Sequence, residues 1–334
     1  MQHEEPRMAI SEQAFIMKAL SEGLRVDGRR THELRPISIA FGTDGAKGSV
    51  QVRLGETKVL AVATADLVEP YPDRPTEGVL QFFVELSAMA SPAFEPGRPS
   101  EAAIELMRLL ERALRKSQAL DIESLCVVAG RHVWSIRVDV TVLDHCGNLS
   151  DAVTIAALAA LKHLRLPAVK IDGSGDSAKV EILPADQAER QPLVFHHTPV
   201  SVSLGFFAQD GAIDYVLDPT EREEMVMAGG LTVVINQHQE VCAMQKPGGV
   251  PIEGVKLMEC MQRAAAAAPQ VLLVLEQVLE EHARKLAEAA ETLRKTGRTQ
   301  KAMSSTMPSA GEGHVVPNGN APAGTSSKKK QKLK

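Results

Sequence analysis

The stretch that most limits how this chain can fold runs from Arg137 to Pro167, where a period-two strand passes through a short polar loop into a helix with almost no polar face. Val138, Val140 and Val142 alternate with Asp139, Thr141 and Leu143, the spacing of a half-buried strand. Asp144-His145-Cys146-Gly147-Asn148 supplies turn formers, and Ser150 is placed to cap a helix that is nearly all apolar from Ala152 to Leu161. Such a helix must be covered on most of its circumference. A strand that feeds a helix N-terminus is also a natural place for an anion, because the first amides are unpaired and the helix dipole favours negative charge. Phosphate is the first ligand to test there. A committed phosphate site would add Arg, Lys or a glycine-rich cradle, whereas this loop offers Asp144, Asn148, Leu149 and Asp151.

With 334 residues and 44% hydrophobic content, the chain can bury one large core or two modest ones. No window reaches the apolar length that spans a bilayer, so a soluble protein is expected. The segment from Met1 to Ile10 carries acid and proline, and no secretory signal is read there. Cys126, Cys146, Cys242 and Cys260 lie far apart with no CxxC spacing, which points to buried reduced thiols and a reducing compartment. A net charge of -5 argues against a surface that attracts nucleic acid everywhere, but it leaves room for a local basic stripe.

Taken in order, Ser11 to Glu22 reads as an amphipathic helix capped by Ser and stopped by Gly23. The basic turn Leu24 to Arg30 follows, then strands at Ile37 to Phe41, Ser49 to Leu54 and Lys58 to Leu67, the last two joined as a hairpin at Gly55-Glu56. A further strand is expected at Leu80 to Leu86. From Ser100 to Ser117 a helix puts Ile104, Met107, Leu110 and Leu114 on one face, and Glu101, Glu105, Arg108, Arg112 and Arg115 on another. A second hairpin turns at Gly130-Arg131 and brings Trp134 into the core. Strands then helices, without regular βαβ alternation, give an α+β fold class. The expected divisions are residues 1–30 for the helix and basic turn, 31–168 for a first half, 169–191 for a connection, 192–300 for a second half and 301–334 for a tail. The second half holds strands at Val200 to Phe207, Ile213 to Leu217, Leu231 to Asn236 and Val241 to Gln245, with a short helix from Pro219 to Met227 and a helical run from Ile252 to Lys295 that Pro269 breaks or kinks. The tail is disordered by composition and ends in lysines, which suit either a nuclear-import address or a nonspecific RNA-binding arm.

Three sets of residues carry candidate chemistry. Asp218-Pro219-Thr220-Glu221 reads as a helix cap, with Asp at the N-cap, Pro at N1 and Glu at N3. Arg108 and Arg112, four apart, are either a solvated face with Glu105–Arg108 and Glu111–Arg115 pairs worth ~0.3 to 0.5 kcal/mol each, or a grip on successive phosphates of a single strand. His196-His197 is read on a strand, where adjacent side chains point to opposite faces, and no carboxylate or thiol lies at ligand spacing, so a structural role is expected and no metal is assigned.

Five motifs then agree with one family. RVDGR at Arg25 to Arg29, FEPGR at Phe94 to Arg98, the Arg-bearing helix, the GNLSDA loop and LDPTEREE at Leu217 to Glu224 together resemble the RNase PH family over residues 10 to 295. The resemblance implies two α+β subdomains sharing a core. Members of that family phosphorolyse RNA from its three-prime end or form the six-membered ring of the RNA exosome. Active members bind phosphate with a small residue followed by Arg in the loop that here reads Gly147-Asn148-Leu149-Ser150, so Leu149 takes the Arg position and Asn148, Leu149 and Ser150 mark a lost phosphate site. They also place two carboxylates near the scissile bond, for proton donation and Mg²⁺. Asp218 stands at the first position and Glu223 or Glu224 at the second, as vestigial candidates.

By the same resemblance, Arg108 and Arg112, with Arg98 as a weaker third, contact RNA along the channel. The implied role is a non-catalytic ring subunit that needs no cofactor. Its implied partners are single-stranded RNA, other RNase PH-like ring subunits, OB- or KH-type cap subunits and an associated catalytic ribonuclease, in the nucleus, nucleolus and cytoplasm. An active phosphate-dependent exoribonuclease and a free RNA-binding module are the rival expectations.

Overall fold

The computed structural model describes residues 8–42, 48–95, 97, 99–172, 179–184, 190–209 and 212–304. The lysine tail and Arg98 lie outside the described residues. Two compact units are distinguished, Met1–Arg284 and Lys285–Lys334. The second contributes the end of the last helix, and the fold that follows is that of the first.

The chain enters through α1 (Ile10–Ser21), whose N-cap is Ala9 rather than Ser11. Six strands then form the first sheet: β1 (Ile37–Phe41), β2 (Gly48–Leu54), β3 (Thr57–Val68), β4 (Val79–Leu86), β5 (Cys126–Val128) and β6 (His132–Asp144). Their order is β1-β2-β3-β6-β4, with β5 also on β6. β1, β2 and β3 are antiparallel, and Leu54 faces Thr57 across the Gly55-Glu56 turn, as the alternation requires. β4 runs parallel to β6, because the helix between them carries the chain back to the same end.

That helix is α2 (Glu101–Leu110), capped by the Ser100 hydroxyl, which accepts from the Ala103 N–H at 3.2 Å. It passes directly into a π-helical turn, Glu111–Lys116. Its buried stripe is Ala103, Leu106, Leu109 and Leu110, continuing in Ala113 and Leu114, while Ile104 and Met107 are half-buried. The stripe is turned from the expected one because small Ala103 sits at the contact and lets the helix approach there.

α3 (Leu149–His163) lies between the first sheet and the second, and Ala152 to Leu161 are all buried. This double cover is why almost no polar residue is tolerated along it. Its cap is Asn148, not Ser150: Asn148 holds φ +51, and its side-chain oxygen accepts from the Asp151 N–H. The expected connection contains two short strands, β8 (Val169–Asp172) and β9 (Lys179–Ile182), paired with each other, and it is flanked by β7 (Arg165–Leu166) and β10 (Gln191–Pro192), which also pair.

The second sheet is β11 (Val200–Gln209), β12 (Ala212–Leu217), β13 (Gly229–Ile235) and β14 (Val241–Gln245), in the order β12-β11-β13-β14 and antiparallel throughout. Between β12 and β13 the helix α4 (Glu221–Glu224) is a single turn, shorter than the Pro219 to Met227 expected. The last helix, α5 (Gly254–Ser304), runs through Pro269 without a break. Ala264, Ala267 and Ala268 before the proline and Val271, Leu272 and Leu275 after it are buried, while Pro269 faces out. Burial on both sides outweighs the ~3 kcal/mol that an interior proline costs.

Two smaller expectations also change. Of the four free thiols only Cys260 is buried, and the other three are half-exposed, because each lies on a strand or loop at the margin of the core. The two histidines sit in an irregular segment rather than a strand. There the His196 N–H donates to the Ala119 carbonyl at 2.9 Å, and His197 Nε2 lies 2.9 Å from the Ser117 carbonyl. Among the described residues no helix is long and apolar enough to cross a membrane.

Candidate functional site

Three of the five motifs converge on one buried cluster. Arg25 and Arg29 come from the basic turn after α1, Arg35 from the run into β1, Gly147 and Asn148 from the loop after β6, and Asp218 to Glu224 from the segment after β12. Arg35 holds Asp218 at three points: Nε donates to Oδ2 at 2.9 Å, Nη2 to Oδ1 at 2.7 Å, and its backbone N–H to Oδ2 at 2.8 Å. Arg29 Nη1 adds a contact to Asp218 Oδ2 at 3.0 Å, and Asn148 Nδ2 donates to Oδ1 at 2.6 Å. Arg25 grips Glu223, with Nε 2.8 Å from Oε1, and donates to the Leu217 and Asp218 carbonyls. The remaining Arg35 donors reach the carbonyls of Cys146 at 2.9 Å and Gly147 at 3.2 Å, which ties the loop to the same guanidinium.

The backbone is bent to allow this. Asn148 and Asp218 both take positive φ, at +51 and +50, in the region that Asn and Asp tolerate best after glycine. Gly147 has φ +88, and a Cβ there would lie 2.3 Å from the Glu221 backbone nitrogen, so the two segments touch main chain to main chain.

Asp218 is fully buried, yet it remains a carboxylate. Burial works to raise its pKa, but the Arg35 guanidinium and the Asn148 amide hold it below the ordinary value. The reciprocal effect raises Arg35 against its own burial. Asp151 goes the other way: burial raises it, even though Asn148 and Ser203 donate to its carboxylate. Glu224 is pushed up to about 7 by burial, against the Asn148 N–H that donates to its Oε1 at 2.7 Å.

These contacts revise one expectation. Asp218 does not cap the next helix; Thr220 does, in a capping box with Glu223. Both carboxylate oxygens already accept from Arg35, Arg29 or Asn148, and these contacts hold the side chain away from the helix amides. The Glu221 at the expected N3 position is therefore the first residue of the helix. Nor do the carboxylates suit Mg²⁺. Both oxygens of Asp218 accept from guanidinium or amide donors, both of Glu223 accept from Arg25 or the Thr220 N–H, and only Glu224 is left. Among the described residues no group of three or more His, Cys, Asp or Glu could hold a metal ion.

Two amides of the helix N-terminus after the loop are satisfied from within. The Asn148 N–H is taken by Glu224, the Asp151 N–H by the Asn148 side chain, and Leu149 packs half-buried against the core. The Ser150 carbonyl accepts from the Thr154 hydroxyl at 2.8 Å. A cleft of about 470 Å³ opens beside the cluster, lined in part by Arg29, Arg35, Cys146 and Thr220.

The RNA candidates lie apart from the cluster. Arg108 on α2 and Arg112 in the π-helical turn are both exposed, and no described carboxylate stands within ion-pair distance of either. The expected Glu111–Arg115 pair forms at 3.5 Å, between half-exposed side chains. Sequence reading did not single out Arg35, and it named Asp151 only for its charge, not for its buried contacts with Asn148 and Ser203. An acidic residue opening an otherwise apolar helix was the available sign for Asp151; Arg35 left none.

Comparison with known proteins agrees with the arrangement. Residues 33–167 match the 3' exoribonuclease family, domain 1, and residues 197–267 match its domain 2. The chain is 44% identical over 278 residues to Exosome complex component RRP45A of Arabidopsis thaliana, covering 83% of this chain and 89% of that protein. It is 43% identical over 269 residues to the Homo sapiens Exosome complex component RRP45, covering 80% of this chain and 60% of the human protein. Among solved structures, the Archaeoglobus fulgidus exosome with RNA bound to the active site superposes with a TM-score of 0.67 at 32% identity, covering 78% of this chain and 96% of that one.

Proposed function

The chain belongs to the 3' exoribonuclease (RNase PH) family, and on that premise we propose that it is a non-catalytic subunit of an RNA exosome ring, serving RNA processing and decay. One observation carries the non-catalytic part. Two groups that could hold a reacting anion around the Gly147–Ser150 loop are taken by the protein's own carboxylates, Arg35 by Asp218 and the Asn148 amide by Glu224, with neutral Leu149 beside them. Phosphorolysis needs positive charge or free amides for both the nucleophile and the scissile phosphodiester. Losing one such group typically costs on the order of 3 kcal/mol of transition-state stabilisation.

In this reading Arg108, Arg112 and Arg98 contact single-stranded RNA threaded through the ring. The protein neighbours are other RNase PH-like subunits, with OB- or KH-type cap subunits and a catalytic ribonuclease attached to the assembly. Its compartments are the nucleus, nucleolus and cytoplasm. The test is direct: full-length chain and reconstituted ring, incubated with oligo-RNA, Mg²⁺ and phosphate, release no nucleoside diphosphate that depends on this chain. Release by the chain overturns the proposal.

A second reading, an active phosphate-dependent exoribonuclease, has one observation in its favour. Glu224, pushed up to about 7 beside the helix N-terminus, has the affinity that suits a general acid near neutral pH. If nucleoside diphosphate is released, Glu224→Gln must abolish it for this reading to hold.

A further inference from the structure

Arg112, which the ring-subunit reading puts on RNA, sits in the π-helical turn Glu111–Lys116, and that turn is held by hydrogen bonds just beyond it. The Ser117 N–H donates to the Arg112 carbonyl at 3.2 Å, five residues back, and the Ala119 N–H to the Leu114 carbonyl at 3.2 Å. In an α-helix the Ser117 N–H would go to Ala113, four residues back. That carbonyl accepts the Ser117 hydroxyl instead, at 2.6 Å. Ser117 thus fixes the backbone of Arg112, whose side chain is exposed.

Ser117 is in turn held by the segment that leads into β11. Phe195 pairs with Leu120 in a single antiparallel bridge, the Asp121 N–H donates to the Val194 carbonyl at 3.0 Å, and the His196 N–H donates to the Ala119 carbonyl at 2.9 Å. Among these described contacts it is the His197 ring that reaches back to the end of the turn, with Nε2 2.9 Å from the Ser117 carbonyl. A carbonyl only accepts, so Nε2 carries the proton and Nδ1 is the bare nitrogen. The Cys242 sulfur of β14 lies 3.9 Å from Nδ1, on the accepting side of that tautomer. The half-buried imidazole therefore stands between the turn and the second sheet with one donor aimed at Ser117.

We propose that His197 is a positioning residue for RNA: through Ser117 it holds the π-helical turn in the register that aims Arg112 at a phosphate. The inference rests on the reading of Arg112 as an RNA contact, and its test separates the two. Rings are reconstituted with full chains carrying Arg112→Ala, His197→Leu, His197→Gln or Ser117→Ala, assembly is checked by native mass spectrometry, and oligo-RNA affinity is measured across a salt series. Arg112→Ala should reduce the slope of log affinity against log salt by about 0.7, the loss of one single-strand phosphate contact. His197→Leu should reproduce most of that loss, with affinity about three- to tenfold lower at low salt, the worth of one hydrogen bond. His197→Gln, whose amide can donate in place of Nε2, should restore both, and Ser117→Ala, which frees the Ala113 carbonyl for the α-helical register, should behave as His197→Leu does. A wild-type chain that enters no ring, or an unchanged slope in Arg112→Ala, overturns the reading of Arg112 on RNA and this proposal with it. Where Arg112→Ala does lower the slope, an unchanged slope in His197→Leu, or equal losses in the Leu and Gln variants, overturns the positioning role alone. If His197→Leu does not assemble, an unchanged slope in Ser117→Ala overturns it.

Discussion

Asp218 is fully buried and held by Arg29, Arg35 and Asn148, so removing its charge leaves the buried Arg35 guanidinium without its carboxylate. Breaking one side of such a pair costs about 3–5 kcal/mol. Asp218→Asn should lower stability by that order in urea titration, and a loss under 1 kcal/mol, on the scale of an exposed pair, would show that the cluster is not buried as described. Glu224 has the opposite sign. Its folded pKa of about 7 lies above the ordinary 4.5, so its contribution is fully present below 4.5 and is lost as pH rises to about 7. Glu224→Gln should therefore be more stable than the wild type at pH 8, by on the order of 3 kcal/mol, with the gap closing towards pH 4.5. Parallel melting curves across that range decide it. Gly147→Ala meets both a positive φ and backbone atoms of Thr220 and Glu221, and several kcal/mol of destabilisation are expected in the same assay. Little of this was legible beforehand. Asp218-Pro219-Thr220-Glu221 satisfies the local rules for a cap, and a partner 183 residues upstream leaves no local mark to compete with them.

At the scale of elements, local patterns served well wherever packing obeyed a simple period. The Gly55-Glu56 hairpin, the strand Val241–Gln245 and the all-apolar α3 are found where alternation or unbroken apolar sequence places them. At Pro269 burial on both sides carries α5 through without a break, and the local pattern failed at α4, which stops after one turn. α2 and its π-helical continuation keep Arg108 and Arg112 exposed without carboxylate partners among the described residues, so the pair is available to phosphate. Reversing both charges in the reconstituted ring should weaken RNA protection and reduce the slope of log affinity against log salt by roughly 1.4, at about 0.7 per single-strand phosphate contact. An unchanged slope removes these two residues from the RNA path.

For the molecule as a whole, the α+β class was readable from the order of strands and helices, whereas the way the two sheets share α3 was not. Burial of α3 on both sides and the guanidinium–carboxylate cluster both join sequence before residue 168 to sequence after residue 192. We therefore expect fragments 1–168 and 192–300 to fail to fold when expressed singly, each leaving apolar surface or buried charge without its partner. Circular dichroism melts of the two fragments test this, and a cooperative transition in either one contradicts it. The same cluster bears on how the chain is made. Arg25 waits for Glu223 across 198 residues and Arg35 for Asp218 across 183, which at ribosomal rates of roughly 5–20 residues per second is an interval of about 10 to 40 s. During synthesis Arg25 and Arg35 emerge long before Glu223 and Asp218, so the first half is expected to stay open until those acids close it.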